Sequence, residues 1–155
     1  MEMKRLIVIG TTLLAGLLLS TGVQAGDVED IIALEKGHYL ARNNGDVDTW
    51  VQYHLPERDG YGPGGGLLSE GTTTEEERKS LKAQFDAGMK YNHRLIQVDV
   101  KVFGDIAITT GYVVGSSTSP NGTTNQVMMR RTGVVIKRDG QWKELHNHLS
   151  PVVAP

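Results

Sequence analysis

Three side chains with acid–base or metal-binding potential, Glu144, His146 and His148, recur at every second position near the end of the chain. In an extended strand that spacing puts them on one face, where they could hold a metal ion or make hydrogen bonds across an interface. It supplies too few ligands to close a metal site, so no metal or other cofactor is expected, and interface or core hydrogen bonding is the preferred reading. Imidazoles titrate near neutrality, which would make such an interface sensitive to pH. Leu145, Asn147 and Leu149 stand on the opposite phase, and the preceding strand carries Arg131 in phase with Val127, Met129 and Val135. Arg131 and Asn147 are therefore the polar groups expected among apolar interior positions, as ligand-orienting residues. A buried guanidinium needs a carboxylate or an anionic ligand, because an unpaired buried charge is very costly. Asp99 is the internal candidate. Trp50, Tyr53 and Tyr39 could wall a pocket, although aromatic residues at helical spacing mostly build core.

The elements that position these residues can be read from periodicity. Apolar and β-branched residues alternate from Val127 to Lys137, Asp139-Gly140 offers the positive φ of a tight turn, and a second strand follows over 141–149. Upstream, 27–43 reads as a helix capped by Asp27 and ended by Asn43-Asn44-Gly45, and 46–53 as a short second helix. Gly37 inside the first helix costs about 1 kcal/mol against Ala and is read as tolerated. The stretch 54–71 is glycine-rich and reads as a flexible loop with Asp59 and Tyr61 at a pocket entrance. Its Gly60, Gly62 and Gly65 match a G-x-G-x-x-G spacing, but without the strand before and the helix after that give the motif meaning. Thr74 to Glu77 is a capping box opening a helix that runs to about Ala87. From Arg94 the period is two: Ile96, Val98, Val100 and Val102 share one face, Leu95 and Asp99 the other, and Gly104-Asp105 turns the chain into a further strand. Helices followed by an antiparallel meander imply an α+β domain, with N-terminal helices packed on one face of a curved sheet.

Composition narrows the class. The chain has 155 residues and no cysteine, so no disulfide framework supports it. Lys4-Arg5, an uncharged apolar run and Val23-Gln24-Ala25 resemble an export signal, so residues 1–25 are expected to be cleaved and 26–155 to form one domain, secreted or periplasmic, with no stable membrane insertion. Without Glu2, Lys4 and Arg5 the formal charge of −2 becomes −3. The remaining Lys and Arg are scattered, which excludes the basic stripe that a nucleic-acid binder needs.

Three segments carry a resemblance: Asn44-Gly45-Asp46-Val47 with Trp50, Lys137 to Lys143, and Leu145 to Pro151. Together they are similar to the nuclear transport factor 2-like superfamily in its SnoaL-like branch, which includes the association domain of calcium/calmodulin-dependent kinase II. The resemblance implies a cone, with helices closing the concave side of a bent sheet around an apolar cavity, and a homodimer through the sheet's outer face. It does not fix the function, because folds of this kind host isomerases, hydrolases and plain assembly modules. The arginines lining the kinase domain's cavity correspond to Gly133 and Leu149 here, leaving Arg131, two residues earlier, as the cation on that side. Likeness to the steroid isomerases implies His38 or Tyr39 as the helix-borne acid and Asp59 as base, while likeness to the epoxide hydrolases implies Asp99 with Arg131. The leading expectation is a small, largely apolar molecule bound in the cavity. The alternatives are an acid–base enzyme and a non-catalytic oligomerisation module.

Overall fold

The computed structural model describes residues 26–69 and 74–153; the expected export signal lies outside the described residues. The element order is α1 (Asp27–Asn43), α2 (Val47–Gln52), β1 (His54–Tyr61), α3 (Thr74–Asp86), β2 (Lys90–Phe103), β3 (Ile106–Thr118), β4 (Thr124–Arg138) and β5 (Gln141–Pro151). The five strands form one sheet in the order β1-β5-β4-β3-β2. The last four are the antiparallel meander read from the sequence, and β1 joins its edge parallel to β5. This is the expected α+β class, a curved and unclosed sheet with N-terminal helices.

The segment expected to be a loop therefore begins with a strand. The strand contains Pro56, which an edge strand tolerates because one side of its backbone has no partner, and the pairing with β5 is irregular between His54 and Asp59. Gly60 is required by packing, since a Cβ there would lie 2.5 Å from the Asn147 Oδ1 and 2.7 Å from the Asn147 carbonyl oxygen.

Two bulges decide which side chains face inward. In β2 the register shifts between Ile96 and Asp99, with Gln97 at φ 51°. Tyr91, His93 and Leu95 point inward before it and Val98, Val100 and Val102 after it, so Ile96 and Asp99 are both turned to the exposed side. In β5, Glu144 pairs with Val135 while His146 pairs with Val134, leaving Leu145 as the extra residue. Each extra residue reverses the alternation that a uniform strand would keep. Trp142, Glu144 and Asn147 are thus all buried, while His148 is exposed.

Helix α1 lies across the sheet, mainly against β2. Ile31 packs with Ala107, Val135 and Trp142, and Tyr39 with Leu95 and Val113. Gly26, not Asp27, takes the N-cap position. The Asp27 carboxylate instead accepts hydrogen bonds from Lys137 Nζ at 2.7 Å and Trp142 Nε1 at 3.2 Å, tying the helix start to the hairpin. Asp46 does cap α2, accepting from the Thr49 amide. Helices α2 and α3 close the other end through Trp50, Val51 and Leu81.

Candidate functional site

Counting from Ile31 along α1, Glu35 and His38 fall one and two turns later on the same buried face. Glu35 is met there by Arg131 from β4, with Nη1 2.7 Å from a carboxylate oxygen. The same nitrogen donates to Thr109 Oγ1 at 3.0 Å, and Thr109 donates to Glu35 at 2.8 Å. Arg131 Nη2 pairs with Glu144 on β5. Gly133 makes this possible, because a Cβ there would lie 2.6 Å from Thr109 Oγ1 and 2.8 Å from Arg131 Nη1. Burial first, with the Glu144 charge adding to it, raises the Glu35 carboxyl above its ordinary range despite the Arg131 charge. Burial acts the same way on Glu144, but the Arg131 and Arg58 charges outweigh it and hold that carboxyl low. Glu35, His38 and Glu144 bring ligand atoms within 4.8 Å of one another, as a metal site would, yet a guanidinium bonded to both carboxylates already supplies the positive charge there.

A second chain of polar contacts leads from this triad to the helices. Arg58 on β1 donates Nε to Glu144 at 2.6 Å and lies 3.5 Å from Glu77 on α3. Glu77 accepts from His54 Nδ1 at 2.6 Å and from Trp50 Nε1 at 3.2 Å. His54 Nε2 meets His38 Nε2 at 2.9 Å, so one imidazole carries that proton and the other accepts it. Burial first, then the charges of His54 and Arg131, hold the His38 pKa well below its usual value, so this ring is neutral. The His38 ring lies against Trp50, with centroids 3.6 Å apart and the planes tilted by 38°.

His38, Trp50, Arg58 and Glu77 border a cavity of about 350 Å³, at the small end of ligand pockets. Its apolar wall includes Tyr39, Trp50, Leu81, Met129 and Leu149; polar groups reach it from His38, Arg42, Arg58, Glu77, His93 and Asn147. Of the residues expected at a site, His38, Tyr39, Trp50 and Asn147 therefore come together. Burial raises the Tyr39 phenol, keeping it protonated. Tyr53 does not line the cavity; its hydroxyl lies 2.6 Å from where a Cβ on Gly37 would sit, which is the close approach that this helical glycine serves. Arg131 faces inward as expected, but it does not line the cavity, and its partners are Glu35 and Glu144 instead of Asp99. Asp99 is exposed beyond the β2 bulge. Asp59 pairs with His146 at 2.6 Å, beside Tyr61, and does not line the cavity either. Glu144 leaves the outward set with His146 and His148 because of the β5 bulge.

The sequence profile of the SnoaL-like domain matches residues 31–155. The chain belongs to the SnoaL-like domain family. No curated protein is similar enough to match it. Among solved structures, this SnoaL-like chain is similar to a candidate dehydratase of the nuclear transport factor 2-like family from Streptomyces avermitilis, at 25% identity and TM-score 0.68, over 83% of this chain and 97% of that one. A ketosteroid isomerase-like protein from Erwinia carotovora atroseptica is similar at 16% identity and TM-score 0.68, over 84% and 99%. The association domain of the calcium/calmodulin-dependent kinase II of C. elegans is similar at 21% identity and TM-score 0.61, over 79% and 93%. These likenesses establish the fold.

Several site residues of this SnoaL-like domain escaped the sequence reading. Glu35 carried a usable signal, lying four residues after Ile31 on the face that Tyr39 and His38 complete. The capping-box pattern at Glu77 says nothing of its side chain's partners, and His54 and Arg58 lie in the stretch expected to be a loop. Their convergence depends on β1 pairing with β5, a contact between segments about ninety residues apart that no local pattern announces.

Proposed function

We propose that this domain binds a small, largely apolar molecule in the cavity under α1, with Asn147 offering a hydrogen bond and Tyr39, Trp50, Met129 and Leu149 supplying the apolar wall. The observation that carries the reading is the 350 Å³ cavity itself, bordered by aromatic and aliphatic side chains with a few convergent polar groups. In the same reading the chain is exported and pairs through the outer face of the sheet. Pairing is supported by Ile96, Phe103, Ile106, Ile108 and Met128, which leave large apolar surfaces exposed. Among the described residues no helix is long and apolar enough to cross a membrane. Thermal unfolding of the purified protein with a panel of small apolar compounds tests the reading. A binder at a hundred times its Kd adds about 2.7 kcal/mol of stability. No shift across the panel, with unchanged thermal stability for Asn147→Leu in the presence of every compound, refutes it.

A second reading, acid–base catalysis, is favoured by the His38–His54–Glu77 contacts, in which two titratable groups of the cavity wall, His38 and Glu77, are joined through one imidazole. A neutral His38 is a weak base unless its own proton can pass on, and that chain supplies a route to a carboxylate. Deuterium exchange into small carbonyl compounds, lost in both His38→Gln and Glu77→Gln, is the expected signature. Exchange that survives both substitutions removes this reading.

A further inference from the structure

The three arginines around the cavity differ in one respect. Arg131 is held by Glu35 and Glu144, and Arg58 by Glu144 and Glu77. Arg42, in the last turn of α1, has no carboxylate within ion-pair distance among the described residues, although it lines the cavity. It lies instead among rings: its Cζ is 4.1 Å from the Tyr91 ring centroid and 5.0 Å from that of Trp50. Those contacts engage the faces of the guanidinium and leave its N–H edges as the part able to bind an acceptor. Its Nε is buried without a hydrogen-bond partner.

The arginine is also fixed in place. The next residue, Asn43, grips β2 through both ends of its amide, donating to the His93 carbonyl and accepting from the His93 amide, each at 2.8 Å. That clamp locks the end of α1 to the strand bearing His93. The His93 side chain, 5% exposed, also borders the cavity; its Nε2 contacts Ser117 Oγ at 2.9 Å, while its Nδ1 is buried without a partner. The one acidic side chain on the cavity wall, among the described residues, is Glu77, and both of its oxygens are taken by His54, Trp50 and Arg58. No described side chain on the wall therefore neutralises Arg42 from within.

We propose that Arg42 anchors a carboxylate, so that the ligands of this cavity are small monocarboxylic acids whose apolar bodies lie against Tyr39, Trp50, Met129 and Leu149. A single planar guanidinium suits the two oxygens of a carboxylate, which can accept parallel hydrogen bonds from it. The lack of a second unpaired cation beside it disfavours more highly charged anions. This inference rests on the cavity-binding reading above and names the chemical class that the reading leaves open.

The test is isothermal titration of the full chain with hexanoate and phenylacetate and with their uncharged amides, on the wild-type protein and Arg42→Gln. The acids are expected to bind the wild type roughly tenfold to a hundredfold tighter than the amides, the ordinary range for a hydrogen bond to a charged group, and Arg42→Gln to bind both alike at the amide level. Equal binding of acid and amide by the wild type overturns the anchor while leaving cavity binding intact. Binding of neither class overturns both. A preference for acids that survives in Arg42→Gln also overturns the anchor. Should that variant fail to fold, NMR titration of wild-type His93 decides. A carboxylate on Arg42 offsets a charge that helps hold the His93 pKa down, so saturating hexanoate raises it and hexanamide does not. An unmoved His93 refutes the proposal.

Discussion

Replacing Arg131 by methionine tests whether the buried triad is an ion-paired centre of the fold. The substitution keeps much of the side chain's length and removes its charge, leaving Glu35 and Glu144, both fully buried, facing each other across the gap. Each pair is worth about 4 kcal/mol at an effective dielectric constant near 20 and a charge separation of about 4 Å. The cost of desolvating a guanidinium, several kcal/mol, offsets much of that sum, and breaking a buried pair from one side is expected to cost about 3–5 kcal/mol. Against a total stability of about 5–15 kcal/mol this is a large fraction. Urea unfolding followed by circular dichroism at pH 7 and pH 5 is the assay. Without Arg131 the Glu35 carboxyl, already raised by burial, stands further above the unfolded value, while Arg58 still pairs with Glu144, so at Glu35 the folded state binds more protons than the unfolded one. The variant's loss relative to the wild type should then shrink as pH falls from 7 to 5, and adding Glu35→Gln to Arg131→Met should recover part of the loss at pH 7. A loss below about 1 kcal/mol, or one equal at both pH values, refutes the account.

Burial and then the Arg42 charge lower the His93 pKa to about 4 from an ordinary 6.5. Between these values the unfolded chain binds the extra proton, so His93 should contribute a fall in stability of at most about 3 kcal/mol on acidification from pH 6.5 to pH 4, and His93→Gln should remove that contribution, leaving the part due to His38. Gly60→Ala places a methyl group against a backbone oxygen and should cost about 1–3 kcal/mol, with loss of amide-exchange protection in β1 and its partner stretch of β5; unchanged exchange would show that β1 tolerates the intrusion. If the exposed apolar face mediates pairing, the wild type sediments as a dimer and Ile108→Lys as a monomer, whereas a monomeric wild type removes the pairing proposal.

Local patterns determined a good deal. The spacing of Ile31, Tyr39 and Ala41, the Asp46 cap and the turn at Asp139-Gly140 announced α1, α2 and the terminal hairpin, because each depends on interactions within a few residues. Arg131 is legible as an inward polar group for the same reason, because alternation along the unbroken β4 fixes its side, and Asn147 is in phase with Leu149 beyond the bulge in β5. Where a bulge intervenes, that logic fails. Leu145 and the Gln97 region each insert one residue, and one residue is enough to send Glu144 inside and Asp99 outside. Pairing of β1 with β5, together with the packing of α1 and α3 over that edge, then assembled His38, His54, Arg58 and Glu77. Charge is what makes that assembly specific. Buried carboxylates and guanidiniums are stable only as a matched set, and a matched set drawn from α1, β1, α3, β3, β4 and β5 exists only after those elements have met.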